Sequence, residues 1–569
     1  MSRLRRFAAA LEERTGLGGA FASILSDPVP GGARWWHALG SLLVFLLGLE
    51  LLTGALLAFF YAPSAQTAWA STVFIQDQLT LGWFVRGLHS FGASAMVVAA
   101  GLHFLHVLFA GAYKAPREGN WVIGLVLLLL TVGFCITGFG LPWDQKGYWA
   151  KLVETSIVGT VPLLGPTLER VLQGGPAYGN YTVTHLFAAH ALVLPAVTVA
   201  LVVLHVALVR RHRLTPPWHL SAAEVRSRTE TYWPNQAFRD AVVAALATFV
   251  IVALVVGFRG AALEGPADPG SGYQARPEWY ARPLFQLRHY FDGPLEIVAT
   301  MVIPGLVAAY LVALPFLDRT SSRDPRRRLP VLVFTGLGLA GVLLLGVHSV
   351  LKDARDPSYQ RHRAEVDKES IRARALAAKG VLPEGGLAVY RNDPEFAVRE
   401  LFRDQCANCH ALTRQGGGDG PDLGDYNSRA WLLAFLKDPQ SPLYMGAAKK
   451  PAKGGMKPVK APPDVMAALA ELVYAQSGAP DVDVALVGKG QALYPEQNCD
   501  SCHEMEPGKD SDAPNLFRRG TLEYIIKIIE DASRPELYGE RSKMPKFGHK
   551  LSREQIEGLA RFVRSQRKP

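Results

Sequence analysis

The chain has 569 residues, 49% hydrophobic and only 19% charged, with a formal net charge of +10. At about 150 residues per domain that length covers roughly four domain-equivalents. Long apolar runs exclude both a disordered chain and a purely cytosolic enzyme. The charge excess lies with the apolar part: residues 1–364 carry 30 Lys and Arg against 21 Asp and Glu, while residues 365–569 carry 30 against 29. A basic chain often signals nucleic acid. An excess confined to loops between apolar runs signals membrane topology instead, and no nucleic-acid partner is expected.

Seven segments are apolar enough to cross a bilayer, which takes about 20 residues each. They lie near 36–60, 84–111, 120–142, 182–209, 239–258, 293–316 and 330–351. The stretch Met1–Pro30 is basic and mixed, without an apolar core before a cleavage site, so no removable signal peptide is expected. Loops 1–34, 112–119, 209–239 and 318–329 hold 18 Lys and Arg, whereas loops 61–82, 143–182 and 259–292 hold 7. The positive-inside rule then puts the N-terminus in the cytoplasm, and seven crossings put everything after about residue 352 outside.

Residues 353–400 read as a charged, partly helical linker. An internal repeat follows. CANCHALTRQGGGDGPDL and WLLAFLKDPQSPLY find their counterparts in CDSCHEMEPGKDSDAPNL and YIIKIIEDASRPELY. Each copy ends in an amphipathic helix (465–477 and 552–566), which predicts two small tandem domains at 401–478 and 479–569.

Each copy carries C-x-x-C-H, the attachment signature of c-type haem: Cys406, Cys409 and His410, then Cys499, Cys502 and His503. Two thiols form thioethers and the histidine ligates iron. A methionine thioether is expected as the other axial ligand. Met544 fills that place in the second copy, since Met505 lies too close to the attachment site. Met456 fills it in the first, with Met445 as the alternative.

Histidines inside spans form the second constellation, because a metal-binding group there is functional by default. His89 and His103 are 14 residues apart in the second span, nearly in phase and about 21 Å apart in depth. His190 and His205 are 15 apart in the fourth span, which runs in the same direction. Pairing equal depths gives His89 with His190 near the outer face and His103 with His205 near the inner one, two stacked bis-His sites for haem b. His106 and His185 fit better as core histidines. Gly40 and Gly54, then Gly124 and Gly138, repeat the 14-residue spacing in spans 1 and 3, where glycine lets a flat macrocycle approach the backbone.

These residues resemble the cytochrome b of quinol-oxidising bc and bf complexes over about residues 30–350, above all the form split into cytochrome b6 and subunit IV. RGLHSFGASAMVVAAGLHFLHV, YKAPREGNWV, TGFGLPWDQKGYWA and LFAAHALVLP carry the likeness to the first part. TYWPNQ, GPADP and RPEWYARPLFQLRHY carry it to the second. The 15-residue interval in span 4 is the bf-type spacing. The resemblance implies an all-α fold: a four-helix haem b domain at 1–232, a three-helix domain at 233–352, the linker, and two α-helical cytochrome c domains resembling class I cytochromes c.

By the same resemblance, Pro277, Glu278, Trp279 and Tyr280 match the outer quinol-oxidising signature, with Glu278 taking a quinol proton. Arg86 matches a haem-propionate partner near the outer haem. Lys114, Arg117 and Arg210 match basic residues near the inner haem and inner quinone site. Ala38 stands where bf-type proteins carry a cysteine for an extra haem, and Glu50 stands where the family usually has Gln. Cys135 reads as an inert buried thiol.

The implied function is a cytochrome b/c subunit of a quinol:cytochrome c oxidoreductase in a bacterial inner membrane, coupled to proton translocation. Its cofactors would be two haems b and two haems c, with quinol as substrate. Expected partners are a Rieske iron–sulfur protein on another chain, since no C-T-H-x-G-C string occurs here, a soluble cytochrome c or terminal reductase, and a second copy in a homodimer. A Rieske-independent quinol dehydrogenase, or a haem electron-wire subunit feeding a periplasmic reductase, is the alternative.

Overall fold

The computed structural model describes residues 12–291, 293–412, 419–445, 456–509 and 512–567. Seven long apolar helices carry the N-terminal part: α1 (Trp35–Ala58), α2 (Gly82–Ala110), α3 (Glu118–Phe139), α4 (Asn180–His212), α5 (Tyr232–Phe258), α6 (Val298–Leu317) and α7 (Pro325–Arg355). At most 17% of the most apolar stretch of any of them is buried. Phe249, Leu337 and Leu343 are about 70% exposed. Outward-facing apolar side chains on seven such helices suit lipid and not water.

The seven expected spans match these helices, with shifted ends. The fourth helix runs on to His212 and the seventh to Arg355, because polar residues past an apolar stretch keep the intrahelical hydrogen bonds of the turn before them. The second ends at Gly111, whose φ of 63° is the left-handed conformation that glycine adopts without steric cost.

Helix α1 packs on α2, and α5 packs on both, around Leu42, Leu46, Ala99, Ile251 and Val255. Helix α4 packs on α3. The Lys/Arg-rich loops meet at one end of the bundle. Pro28–Val29 and Glu230–Thr231 form a short antiparallel pair, and Asp27 bridges to Arg210 at 2.7 Å and Arg213 at 2.9 Å. At the same end Asp318 receives Lys114 at 2.8 Å, Arg328 at 2.9 Å and Tyr113 Oη at 2.5 Å. Burial opposes charge on Asp318, but these donors overrule it and hold its carboxyl down at about 2. The stabilisation is therefore present at neutral pH and lost only as pH falls towards that value.

The Lys/Arg-poor loops meet at the opposite end. Trp69 Nε1 donates to Glu264 O at 2.8 Å, Gln145 N donates to Gly265 O at 2.9 Å, and Lys146 meets Glu278. The segment read as a linker is largely helix. Asp356 caps α8 (Pro357–Ala377), accepting from Ser358 N and Tyr359 N, with Pro357 at the first helical position. Arg363 pairs with Glu264 and Arg374 with Asp77, so α8 is tied to the Lys/Arg-poor end.

The chain divides into two compact units, Met1–Val389 and Tyr390–Pro569. The second holds α9 (Pro394–Gln405), α10 (Arg429–Lys437), α11 (Pro463–Ala475), α12 (Val484–Glu496), α13 (Leu522–Asp531) and α14 (Arg553–Ser565). The repeat shows in the caps: Ser428 accepts from Trp431 N as Thr521 accepts from Tyr524 N. Within each copy α10 packs on α11, and α13 on α14.

The first helix of each copy packs elsewhere. Helix α9 lies against α14 of the other copy, and α12 against α11. A glycine permits each crossing. A Cβ on Gly558 would lie 2.8 Å from Val398 Cγ2, and one on Gly490 would meet the Ala468 carbonyl. One core results, from Phe402 and Trp431 to Ile529 and Leu559. Replacing Gly558 with Leu overpacks the α9–α14 crossing and should destabilise the whole C-terminal unit by about 1–3 kcal/mol. Denaturant unfolding followed by circular dichroism and haem absorbance reads this as a lower midpoint common to both copies.

Candidate cofactor and substrate sites

A cavity of about 1350 Å³ runs through the N-terminal unit and is lined by His89, His103, His190 and His205. The rings of His89 and His190 face one another with centroids 6.1 Å apart and planes at 81°. Two metal–imidazole bonds of about 2.0 Å, plus about 1.2 Å from nitrogen to ring centre on each side, give about 6.4 Å for a bis-imidazole pair. The outer pair therefore fits an iron porphyrin between its rings. In the inner pair, Nδ1 of both His103 and His205 is buried and meets no hydrogen-bond partner among the described residues.

Each of the four glycines lies against one of the four histidines. A Cβ on Gly54 would stand 3.1 Å from His89 Cε1, and one on Gly138 2.5 Å from His190 Cε1. The corresponding distances are 3.6 Å from Gly40 to His103 and 3.5 Å from Gly124 to His205. Glycine thus clears the imidazole positions themselves as well as the cavity between them.

Several contributors were not legible from spacing. Thr53 Oγ1 lies 3.0 Å from His89 Nδ1, and Thr137 Oγ1 lies 3.0 Å from His190 Nδ1. The recurring Thr-Gly pair, Thr53-Gly54 and Thr137-Gly138, was the available signal. Glu50 Oε2 also reaches His89 Nδ1, at 2.9 Å. His106 is not a plain core histidine: it lines the cavity and stacks on Trp36 at 6.3 Å beside His37. His185 is exposed.

The Pro277–Tyr280 loop opens on the same cavity through Glu278 and Tyr280. Glu278 Oε1 receives Lys146 Nζ at 2.5 Å, and both side chains are about a third exposed. Lys146 also sits over the Phe139 ring. Sequence reasoning missed it, because a lysine in a loop looks like any surface cation. Burial pushes the Tyr280 hydroxyl up. Trp279 packs edge-on against Tyr280 and is 47% exposed.

The basic residues matched by resemblance have protein partners. Arg86 donates to Gln76 Oε1 and to the carbonyls of Ala261 and Ala262, while still lining the cavity. Lys114 is held by Asp318. Arg117 donates to His212 O at 2.9 Å, and Arg210 pairs with Asp27. Arg117 and Arg210 line the cavity as well.

In the C-terminal unit the two C-x-x-C-H histidines are set alike. His410 Nδ1 donates to Pro421 O and His503 Nδ1 to Pro514 O, both at 2.8 Å. That tautomer leaves Nε2 with its lone pair for a metal. Burial lowers the proton affinity of both rings, and none of the four repeat cysteines is tied up in a disulfide among the described residues. Arg519 is buried, with its guanidinium about 6 Å from the rings of Tyr426, Trp431 and Tyr524. Tyr426 Oη, Trp431 Nε1 and the Asn427 amide are buried with no hydrogen-bond partner among the described residues. A buried cation among unsatisfied donors suits a carboxylate-bearing cofactor. Met544 packs at the edge of the core. The carbonyl of Met456 accepts from Gln440 Nε2 at 3.3 Å; the side chain of Met445 lies outside the described residues.

Comparison with known proteins agrees with both halves. Residues 24–213 match the family described as Cytochrome b/b6/petB, and residues 485–563 match that described as Cytochrome C oxidase, cbb3-type, subunit III. Cytochrome b of Rhodobacter capsulatus is 32% identical over 313 residues, 52% of this chain and 69% of that protein. Cytochrome b6 of Gloeobacter violaceus is 36% identical over 194 residues, 34% of this chain and 90% of that protein. A solved structure titled Hyperthermophilic respiratory Complex III shares the fold at a TM-score of 0.55 and 21% identity, covering 67% of this chain and 99% of that one.

Filling the glycine gap at one ring should cost one cofactor selectively. Gly138→Leu drives a side chain into His190. Pyridine haemochrome spectra of the variant should show less haem b per chain with haem c unchanged.

Proposed function

Because the chain belongs to the cytochrome b family and carries a cytochrome c domain at its C-terminal end, we propose that it is the cytochrome b/c subunit of a quinol:cytochrome c oxidoreductase. The supporting observation is that Glu278 and the His89/His190 pair open on one cavity. A hydroquinone entering it would meet a proton acceptor and an electron acceptor together.

His89 with His190 and His103 with His205 would each hold one haem b. His410 with Met456 and His503 with Met544 would ligate haems c bound through Cys406, Cys409, Cys499 and Cys502. Bound haem supplies one-electron transfer, across the bilayer in the first unit and on the outer side in the second. Arg519, Tyr426 and Trp431 would take the carboxylates of haem c.

Glu278 would do the proton chemistry. Lys146 occupies its Oε1, so Oε2 meets a quinol hydroxyl, and the fixed pair holds the carboxylate at the cavity wall. Tyr280 and the exposed Trp279 ring form the apolar rim that a quinol headgroup crosses. Protons taken there leave at the Lys/Arg-poor end, which the positive-inside rule places in the periplasm. The N-terminus would then be cytoplasmic and the haem c unit periplasmic, in a bacterial inner membrane.

Bifurcation requires a high-potential acceptor at the same site, supplied by a Rieske iron–sulfur protein on another chain. A soluble cytochrome c or terminal reductase would take electrons from the C-terminal unit, and the assembly would be a homodimer as in bc complexes.

Glu278→Gln should slow quinol-dependent cytochrome c reduction by about 10² to 10⁴-fold with haem content intact; unchanged quinol oxidation would make the chain an electron wire. Lys146→Met should slow it by about tenfold, the equivalent of one hydrogen bond to a charged group, roughly 1.5 kcal/mol. Steady-state assays on the purified complex measure both.

A further inference from the structure

Glu50 lies in the middle of α1, a membrane-spanning helix with no other acidic or basic residue between His37 and Ala58. Its side chain is 15% exposed, with Oε2 2.9 Å from His89 Nδ1. Oε1 is buried, with no hydrogen-bond partner among the described residues. Room for it comes from α2, where a Cβ on Gly92 would overlap Oε1.

Thr53 is the other neighbour of this nitrogen. Its hydroxyl donates to Leu49 O at 2.7 Å, so towards His89 it presents a lone pair. Nδ1 of His89 thus stands between two acceptors and must carry the proton, which leaves Nε2 with its lone pair directed away from them.

The opposite ring shows what is particular here. Thr137 donates to Gly133 O at 2.8 Å and lies 3.0 Å from His190 Nδ1, repeating the threonine. No carboxylate within ion-pair distance accompanies it among the described residues. His103 and His205 have neither. The outer pair therefore carries two threonines that the inner pair lacks, and among the described residues His89 alone of the four has a carboxylate at Nδ1.

We infer that Glu50 is a positioning residue for His89: its Oε2 accepts the Nδ1 proton, fixes the tautomer, and makes this imidazole a stronger donor to the iron held with His190. This rests on the reading of His89 and His190 as haem b ligands. A carboxylate behind a ligating histidine raises ligand basicity, which favours ferric over ferrous iron. The haem at this pair would then be lower in potential than with a neutral, non-accepting side chain at position 50.

The test is potentiometric titration of both haems b in the purified complex, for the natural chain, Glu50→Gln and Glu50→Leu. Both variants should keep haem b and haem c content. In each, one of the two b midpoints should rise while the other stays put, more for Leu than for Gln, whose amide oxygen still accepts. A tenfold change in reduction equilibrium, about 59 mV for one electron, is the expected size for Leu. If Glu50→Leu does not assemble, Glu50→Gln decides alone. Two bound haems b with both midpoints unmoved would overturn the inference. Retention of both haems b in His89→Leu would instead overturn the reading beneath it.

Discussion

A flat macrocycle fits between membrane helices only where side chains give way on both sides, and here that constraint falls on a few positions. His89 and His103 on α2 and His190 and His205 on α4 point into one cavity. Gly54 and Gly40 on α1, with Gly138 and Gly124 on α3, keep the facing backbones clear of the four rings. The rest of the first unit serves this arrangement. The α5 helix buttresses α1 and α2, and the Asp318 cluster ties the α2–α3 turn to α6 and α7. Neither contact touches the cavity's histidines, yet both fix the helices that carry them.

The two ends of the bundle differ in their chemistry. One gathers the arginine-rich loops and closes them with ion pairs to Asp27 and Asp318. The other gathers the Pro277–Tyr280 loop, Lys146, buried Glu264 and the clamped helix α8. Burial, followed by nearby Asp144, raises the Glu264 carboxyl, and Arg363 from α8 opposes that rise. The chain leaving the last membrane helix is therefore held at the end where Glu278 meets the cavity.

Much of this was legible in the sequence because the signals are periodic. Apolar runs gave the seven spans to within a few residues at most ends, and the family resemblance agrees with the matched relatives. Spacings of 14 and 15 picked out histidines that share one cavity, with the rings of His89 and His190 6.1 Å apart. Contacts set by three-dimensional approach were not legible. Glu50 appeared as an isolated acid because its partner lies 39 residues away on another helix. Lys146 and Glu278 are 132 residues apart. The repeat at 401–569 was plain, but nothing in it announces that the first helix of each copy packs on the last helix of the other, since amphipathic helices carry no address for their partner.

Quantitative pyridine haemochrome analysis of the purified chain tests the central claim most directly. Two protohaems and two thioether-linked haems per polypeptide would agree with two bis-imidazole sites and two attachment motifs. A single protohaem, or none, would contradict the pairing of His89 with His190 and His103 with His205.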